Sequence, residues 1–169
     1  MRATPILKGA SGSRRPVRPD AVYALIGAVA ISTGVLIYLL DRSPTSVFFL
    51  PALWHGRHVA WFPLGGVLPE FLHVFAFILL TAAVVPGPPR PIAICGVWLA
   101  IEALFEIGQH PGLAPAIAAA LPGWLEQIPV LDRSASYFLH GTFDWGDLVA
   151  IALGVLTAYA VIKRTESWR

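Results

Sequence analysis

A chain of 169 residues that is 56% hydrophobic and only 13% charged, with a mean hydropathy of +0.68, is too apolar for an ordinary water-soluble domain and reads as a membrane protein. Twelve basic residues against ten acidic ones leave a formal net charge of +2, and the single cysteine, Cys95, excludes an intramolecular disulfide.

The first 19 residues, Met1 to Pro19, are expected to form a disordered cytoplasmic tail, in which SRRPVRP serves as a positive-inside anchor or anionic-lipid contact; no nucleic-acid partner is read from it. An apolar window follows at residues 21–40. It continues through ISTGVLIYLL past the small residues Ala28 and Ala30, so it is expected to stay attached as a membrane span rather than to be cleaved as a signal peptide. The long connection after it, Asp41–Leu68, carries the aromatic and proline-rich stretches SVFFLPALW and HVAWFPLGGVLP. A second window at 69–86 and a third at 91–109 are separated only by GPPR, which makes them an antiparallel hairpin. The second long connection, residues 110–144, contains the short amphipathic piece GWLEQIPVL, and the fourth window covers 145–162. Both long connections suit the outer membrane interface, either as a lid or as aromatic-belt anchors.

Four windows of about 20 residues each match a hydrocarbon core of roughly 30 Å. The expected fold is therefore all-α: an integral membrane four-helix bundle forming one domain over residues 20–169. Nine basic residues, Arg2, Lys8, Arg14, Arg15, Arg18, Arg90, Lys163, Arg164 and Arg169, fall on the side of the termini and the tight turn. Only Arg42, Arg57 and Arg133 lie in the long loops, so both termini are expected in the cytoplasm and both loops outside it. Ten of the twelve basic residues are arginine, and alanine, glycine and proline abound, a composition that suits a GC-rich bacterial gene; the expected location of such a multi-pass protein is the bacterial cytoplasmic (inner) membrane.

Polar residues inside the windows then converge. Helical spacing aligns Cys95, Trp98, Glu102, Glu106 and Gln109 on one face of the third window. At 1.5 Å per residue Glu106 lies roughly 5 Å and Glu102 roughly 10 Å below its outer end. Glu70 and His73 lie near the outer start of the second window, and Asp144 and Asp147 near that of the fourth. Small residues at Ala150, Gly154 and Ala158, and at Gly27, Ala30 and Gly34, supply faces for close helix approach. Two glutamates one turn apart in a bilayer would repel, so the pair is expected to divide into a neutral hydrogen-bonding member, Glu102, and a charged working member, Glu106.

LHVFAFILL, Glu106-Ile-Gly-Gln109 and FDWGDLVAIALG together resemble the VanZ-like membrane proteins. That family has a histidine near the start of one helix, an E-x-x-Q pair ending the next, and a D-x-x-D-L segment followed by glycine opening the last. The resemblance covers about half the chain and implies family positions at His73, Glu106, Gln109, Asp144, Asp147 and Gly154. The chain departs from it in having Glu70 where a basic residue is usual, Gly141 where arginine is usual, Ile151 where asparagine is usual, and the insert His110–Thr142 where the connection is usually short. The implied role lies in the bacterial cell envelope, without a defined reaction.

Two functions are open on these residues. In one, Glu106 and Asp147 act as proton-transfer or cation-binding groups with His73 orienting them, and Glu102, Gln109, Asp144 and Glu70 complete a site that binds or acts on a lipid or lipid-linked envelope molecule. In the other, the protein is a noncatalytic accessory subunit whose polar cluster locks the helices and whose aromatic loops dock a partner membrane protein. Ser134, Ser136 and Thr142 lie in no nucleophile motif. His55 and His58 in WHGRH lack a cysteine or ligand spacing, so no metal site is assigned and no cofactor is required.

Overall fold

Proline and the residue before it set several of the helix limits. In the computed structural model, which describes residues 19–41, 66–85, 91–129 and 131–166, α1 (Pro19–Asp41) and α3 (Pro91–Gly108) begin on proline, and α2 (Leu68–Val84) carries one in its first turn. A proline there removes only an N–H that has no partner in the helix and presets φ. Proline also ends α2 at Val84, short of the expected Pro86. Val85 is extended (φ −78°, ψ 114°), as a residue before proline must be, and its N–H still bonds the Thr81 carbonyl at 3.0 Å. The tail ahead of Pro19 and most of the first long loop, with His55, Arg57 and His58, lie outside the described residues.

The second long connection is helical rather than an open loop. It holds α4 (Ala114–Ala120), 3-10 turns at Gly123–Gln127 and Leu131–Arg133, and α5 (Ser134–His140). GWLEQ is thus a single 3-10 turn that leaves Trp124 outward, and α4 stops at Leu121 because Pro122 follows. The last helix, α6 (Trp145–Glu166), runs one turn past the apolar window. Its added turn is polar and held by Lys163 Nζ to Glu166 Oε2 at 2.9 Å, with the cations at the helix end that favours them. No strand occurs among the described residues.

Among the described residues three helices are long and apolar enough to cross a membrane: Asp20–Leu40 of α1, then α3 and α6. α2 has 17 residues and is shorter. It is nonetheless the hub, packed against α1, α3 and α6, and Val74, Ala76, Ile78 and Leu79 on it are wholly buried. Gly27 faces Leu80 and Gly34 faces Leu72, so α1 runs opposite to α2. Gly146 meets Val67 and Gly154 meets Val74, so α6 runs with α2. Trp98 Nε1 donates to Thr81 Oγ1 at 2.9 Å across the antiparallel α2–α3 pair. At the termini end, Tyr23 of α1 bonds the Thr165 hydroxyl of α6.

The expected small-residue faces are buried, with Ala30, Ala150, Gly154 and Ala158 all in the interior. The outward faces are apolar too. Leu25, Val29 and Leu36 on α1, Val97 and Leu104 on α3, and Val149, Leu153 and Leu156 on α6 are exposed. The exposed hydroxyls of Ser32, Thr33 and Thr157 each donate to the carbonyl four residues back at 2.8 Å, which satisfies them without water.

Gly154 is where α2 and α6 touch most closely. A Cβ there would lie 2.5 Å from Val74 Cγ1 and 2.6 Å from the Phe71 carbonyl oxygen, and the backbone oxygen cannot swing aside. Gly154→Ala is expected to destabilise the protein by about 1–3 kcal/mol through overpacking. Gly96→Ala, at an exposed α3 position with open space around it, should lose nothing. Thermal unfolding of both variants in detergent measures the contrast, and equal midpoints would mean that the α2–α6 contact is not close-packed.

Candidate functional site

The helix directions bring the C-terminal ends of α1 and α3 together with the N-terminal ends of α2 and α6. On α3 the expected face is the inward one: Cys95 and Glu106 are buried, Trp98, Glu102 and Gln109 half-buried, while Val97, Ile101, Leu104 and Ile107 point out. Glu106 is the sole buried charged residue among those described, 6% exposed.

Glu106 caps another helix. Asp144 is the residue before α6, its own Oδ1 accepts the Gly146 N–H at 2.7 Å, and its backbone N–H donates to Glu106 Oε1 at 2.7 Å. In a capping box the N-cap N–H is taken by a carboxylate three residues further along the same helix. Here a glutamate 38 residues earlier takes it. The arrangement places a carboxyl at the positive end of α6, where negative charge is favoured. Asp144 is accordingly the N-cap of α6.

Around this bond stand further acceptors. Glu70, from the first turn of α2, lies within Coulombic range of both Glu102 and Glu106. Gln109 Nε2 donates to the Tyr137 hydroxyl at 2.8 Å, joining the end of α3 to α5. Withdrawal of that hydroxyl from water, and then the negative charges of Glu70, Glu106 and Glu102, push the Tyr137 phenol up to about 12, so it stays neutral at any physiological pH. The structure therefore gathers Glu70, Glu102, Glu106, Gln109 and Asp144, and adds Tyr137. Tyr137 is one of several aromatics in a connection when read as sequence, and only its contacts with Gln109 and Phe105 of the α3 end reveal it.

His73 lies one turn further along α2, in the seam with α3. Its ring stacks on Phe77 with centroids 5.0 Å apart, and Phe77 stacks on Trp98 at 4.7 Å. Asp147 is half-buried in the first turn of α6. No group of three His, Cys, Asp or Glu residues among those described is placed to hold a metal ion. Gly141, where the resemblance leads to an expected arginine, has no room for a side chain, because a Cβ would fall on the Gln109 amide. Ile151, in place of asparagine, is 1% exposed within the apolar core. On α5, Ser136 Oγ and His140 Nδ1 are 3.2 Å apart, but the same nitrogen also bonds the Ser136 carbonyl at 3.1 Å, a local turn contact on an exposed face.

The class that the fold supports is a helical membrane protein, with Glu70, Glu102, Glu106 and Asp144 at the end opposite the termini. No protein-family model, curated protein or solved structure matches the chain.

The cap makes a graded expectation. Glu106→Gln keeps a carbonyl oxygen for the Asp144 N–H and forfeits only the charge at the α6 terminus, about 0.3–1 kcal/mol. Glu106→Ala leaves that N–H unpaired and should cost about 1–3 kcal/mol. Unfolding midpoints should fall in the order wild type, Gln, Ala; a Gln variant as unstable as Ala would show that the charge, not the hydrogen bond, holds the α6 start.

Proposed function

We propose that the chain is a multi-pass protein of the bacterial cytoplasmic membrane and a divergent VanZ-like protein, whose acidic end faces outward and binds the polar head of a lipid or lipid-linked envelope molecule. All four long helices cross the bilayer in this arrangement. The 17 residues of α2 give about 25 Å of helix, near the lower limit for a span, and its central position shields it from lipid. The observation that carries the proposal is the gathering of Glu70, Glu102, Glu106 and Tyr137 at one end of helices that are otherwise apolar on both faces. An ionisable group at bilayer depth costs about 3 kcal/mol, so a cluster of them is seldom kept without use. Carboxyl oxygens and a phenol hydroxyl accept hydrogen bonds, and the head group they suit is rich in donors, an amine or sugar hydroxyls. Glu106 acts as a positioning residue that fixes the α6 start, while Glu70, Glu102 and Tyr137 supply contacts.

One observation favours the second reading, a noncatalytic accessory subunit locked by its polar cluster. Glu106 is engaged by the Asp144 N–H, and among the described residues no buried side-chain nitrogen or oxygen lacks a hydrogen-bond partner. Native mass spectrometry of the protein extracted with its lipids separates the two. Binding requires that Glu70→Gln and Glu102→Gln lower retention of a donor-rich lipid several-fold while the unfolding midpoint holds. Lipid retention identical to wild type in both variants and in the double variant would leave the lock.

The orientation has its own test. Tags at positions 5 and 165 should both report from the cytoplasm, and a cysteine at Arg133 should react with an impermeant reagent added outside intact cells. Reaction at 133 only after the inner face is opened would reverse the topology and place the cluster on the cytoplasmic side.

A further inference from the structure

The insert between α3 and α6 is folded yet leaves much of its apolar surface open. Trp124 is 57% exposed, and Leu113, Ile128, Leu131 and Leu139 are between 40% and 49% exposed. In a water-facing cap these residues would be expected to turn inward. They have little to turn toward, because α4 and α5 pack mainly on each other and touch the end of α3 at few points, such as Gly108 against Phe138 and Ile117.

The junction with α3 indicates what covers them. Phe105 lies on the outward side of α3 beside Ile101 and Leu104, the face that a spanning helix turns to lipid. Phe105 stacks on Phe138 of α5 with centroids 6.0 Å apart and meets the Tyr137 ring edge-on at 6.0 Å. Through Tyr137 and Phe138 the insert therefore adjoins the exposed apolar side of α3. Its charge also bears on the choice of surface. From Leu113 to His140 the chain carries Glu126, Asp132 and Arg133 and no other Asp, Glu, Lys or Arg, so nothing in it attracts an anionic surface by net charge. Interfacial helices held by apolar and aromatic burial settle about 5–10 Å into the headgroup and acyl boundary.

We propose that this insert lies in the outer leaflet, with phospholipid covering the exposed apolar side chains Trp124, Ile128, Leu131 and Leu139. It is held there by apolar burial independent of lipid charge, and the acidic cluster consequently opens at the membrane interface rather than into bulk water. The proposal rests on the reading that α3 crosses the bilayer with its C-terminal end outward, and stands whether or not the cluster binds a ligand.

Cys95 is the sole cysteine, so a Cys95→Ala background accepts single spin labels at Trp124 and Leu131, with Glu126 as the water-facing reference and Ala100, exposed midway along α3, as the lipid reference. The full chain is reconstituted in vesicles of phosphatidylcholine, alone or mixed with phosphatidylglycerol. Labels at 124 and 131 should collide with oxygen in preference to a water-soluble nickel chelate, with a ratio several-fold above that at 126 and unchanged between the two vesicle types. A ratio equal to that at 126 would place the insert in water, and shielding from both agents would mean that residues 42–65 or a partner protein cover it; either overturns the proposal. The cysteine-containing chain supplies a second readout. Trp124→Phe should reduce the share of tryptophan emission quenched by lipids brominated near the headgroup, and an unchanged share would also overturn it.

Discussion

A buried carboxyl that accepts the first N–H of a neighbouring helix ties the polar end of this protein together. Through the Glu106–Asp144 bond, the last turn of α3 and the start of α6 are set in register, and the residues between them must close over that junction as a compact insert. A bilayer enforces such a solution. Backbone groups at a helix terminus have no partner within the helix, and water is scarce below the headgroups. A glutamate delivered from an antiparallel neighbour supplies an acceptor for this N–H from outside the local D-W-G-D sequence. That the bond spans two helices also explains why the cluster forms at this end, where α3 finishes and α6 begins.

The remainder of the molecule obeys the same requirement with apolar means. Helices α1, α3 and α6 are apolar outside as well as inside, and their exposed hydroxyls bond within their own helix. Association cannot then rest on hiding oily surface from water. It rests on close packing, which is why small residues mark the inner faces and why Gly154 sits against backbone atoms of α2. The short central helix is the one most enclosed by the others, an economical place for the segment least able to span alone.

Some departures from the VanZ-like pattern have local physical reasons. Gly141 leaves space for the Gln109 amide, which is then free to bond Tyr137, and Ile151 fills an apolar core position. Glu70 is the difference with electrical consequence: a basic residue at that place would offset Glu102 and Glu106, whereas a third carboxyl makes the end more acidic.

Apolar length alone determined the helical class and the approximate limits of α1, α3 and α6, because a run of about 20 oily residues has few other stable destinations. Helical spacing likewise placed Cys95, Trp98, Glu102, Glu106 and Gln109 on one face, since that geometry is local to the chain. Proline moved the end of α2 to Val84, and the polar turn Lys163–Glu166 extended α6 where hydropathy could not register it. The helices of the insert were hidden for a related reason: α4 and α5 have seven residues each, too short for periodicity to declare them, and they are held by contacts with α3. What Glu106 bonds, that Tyr137 joins the cluster, and that the His73–Phe77 stack continues onto Trp98 of α3 were decided only by tertiary structure. Each depends on which atoms arrive from segments dozens of residues away, and a backbone N–H, the partner that matters most here, leaves no mark in a sequence because every residue but proline carries one.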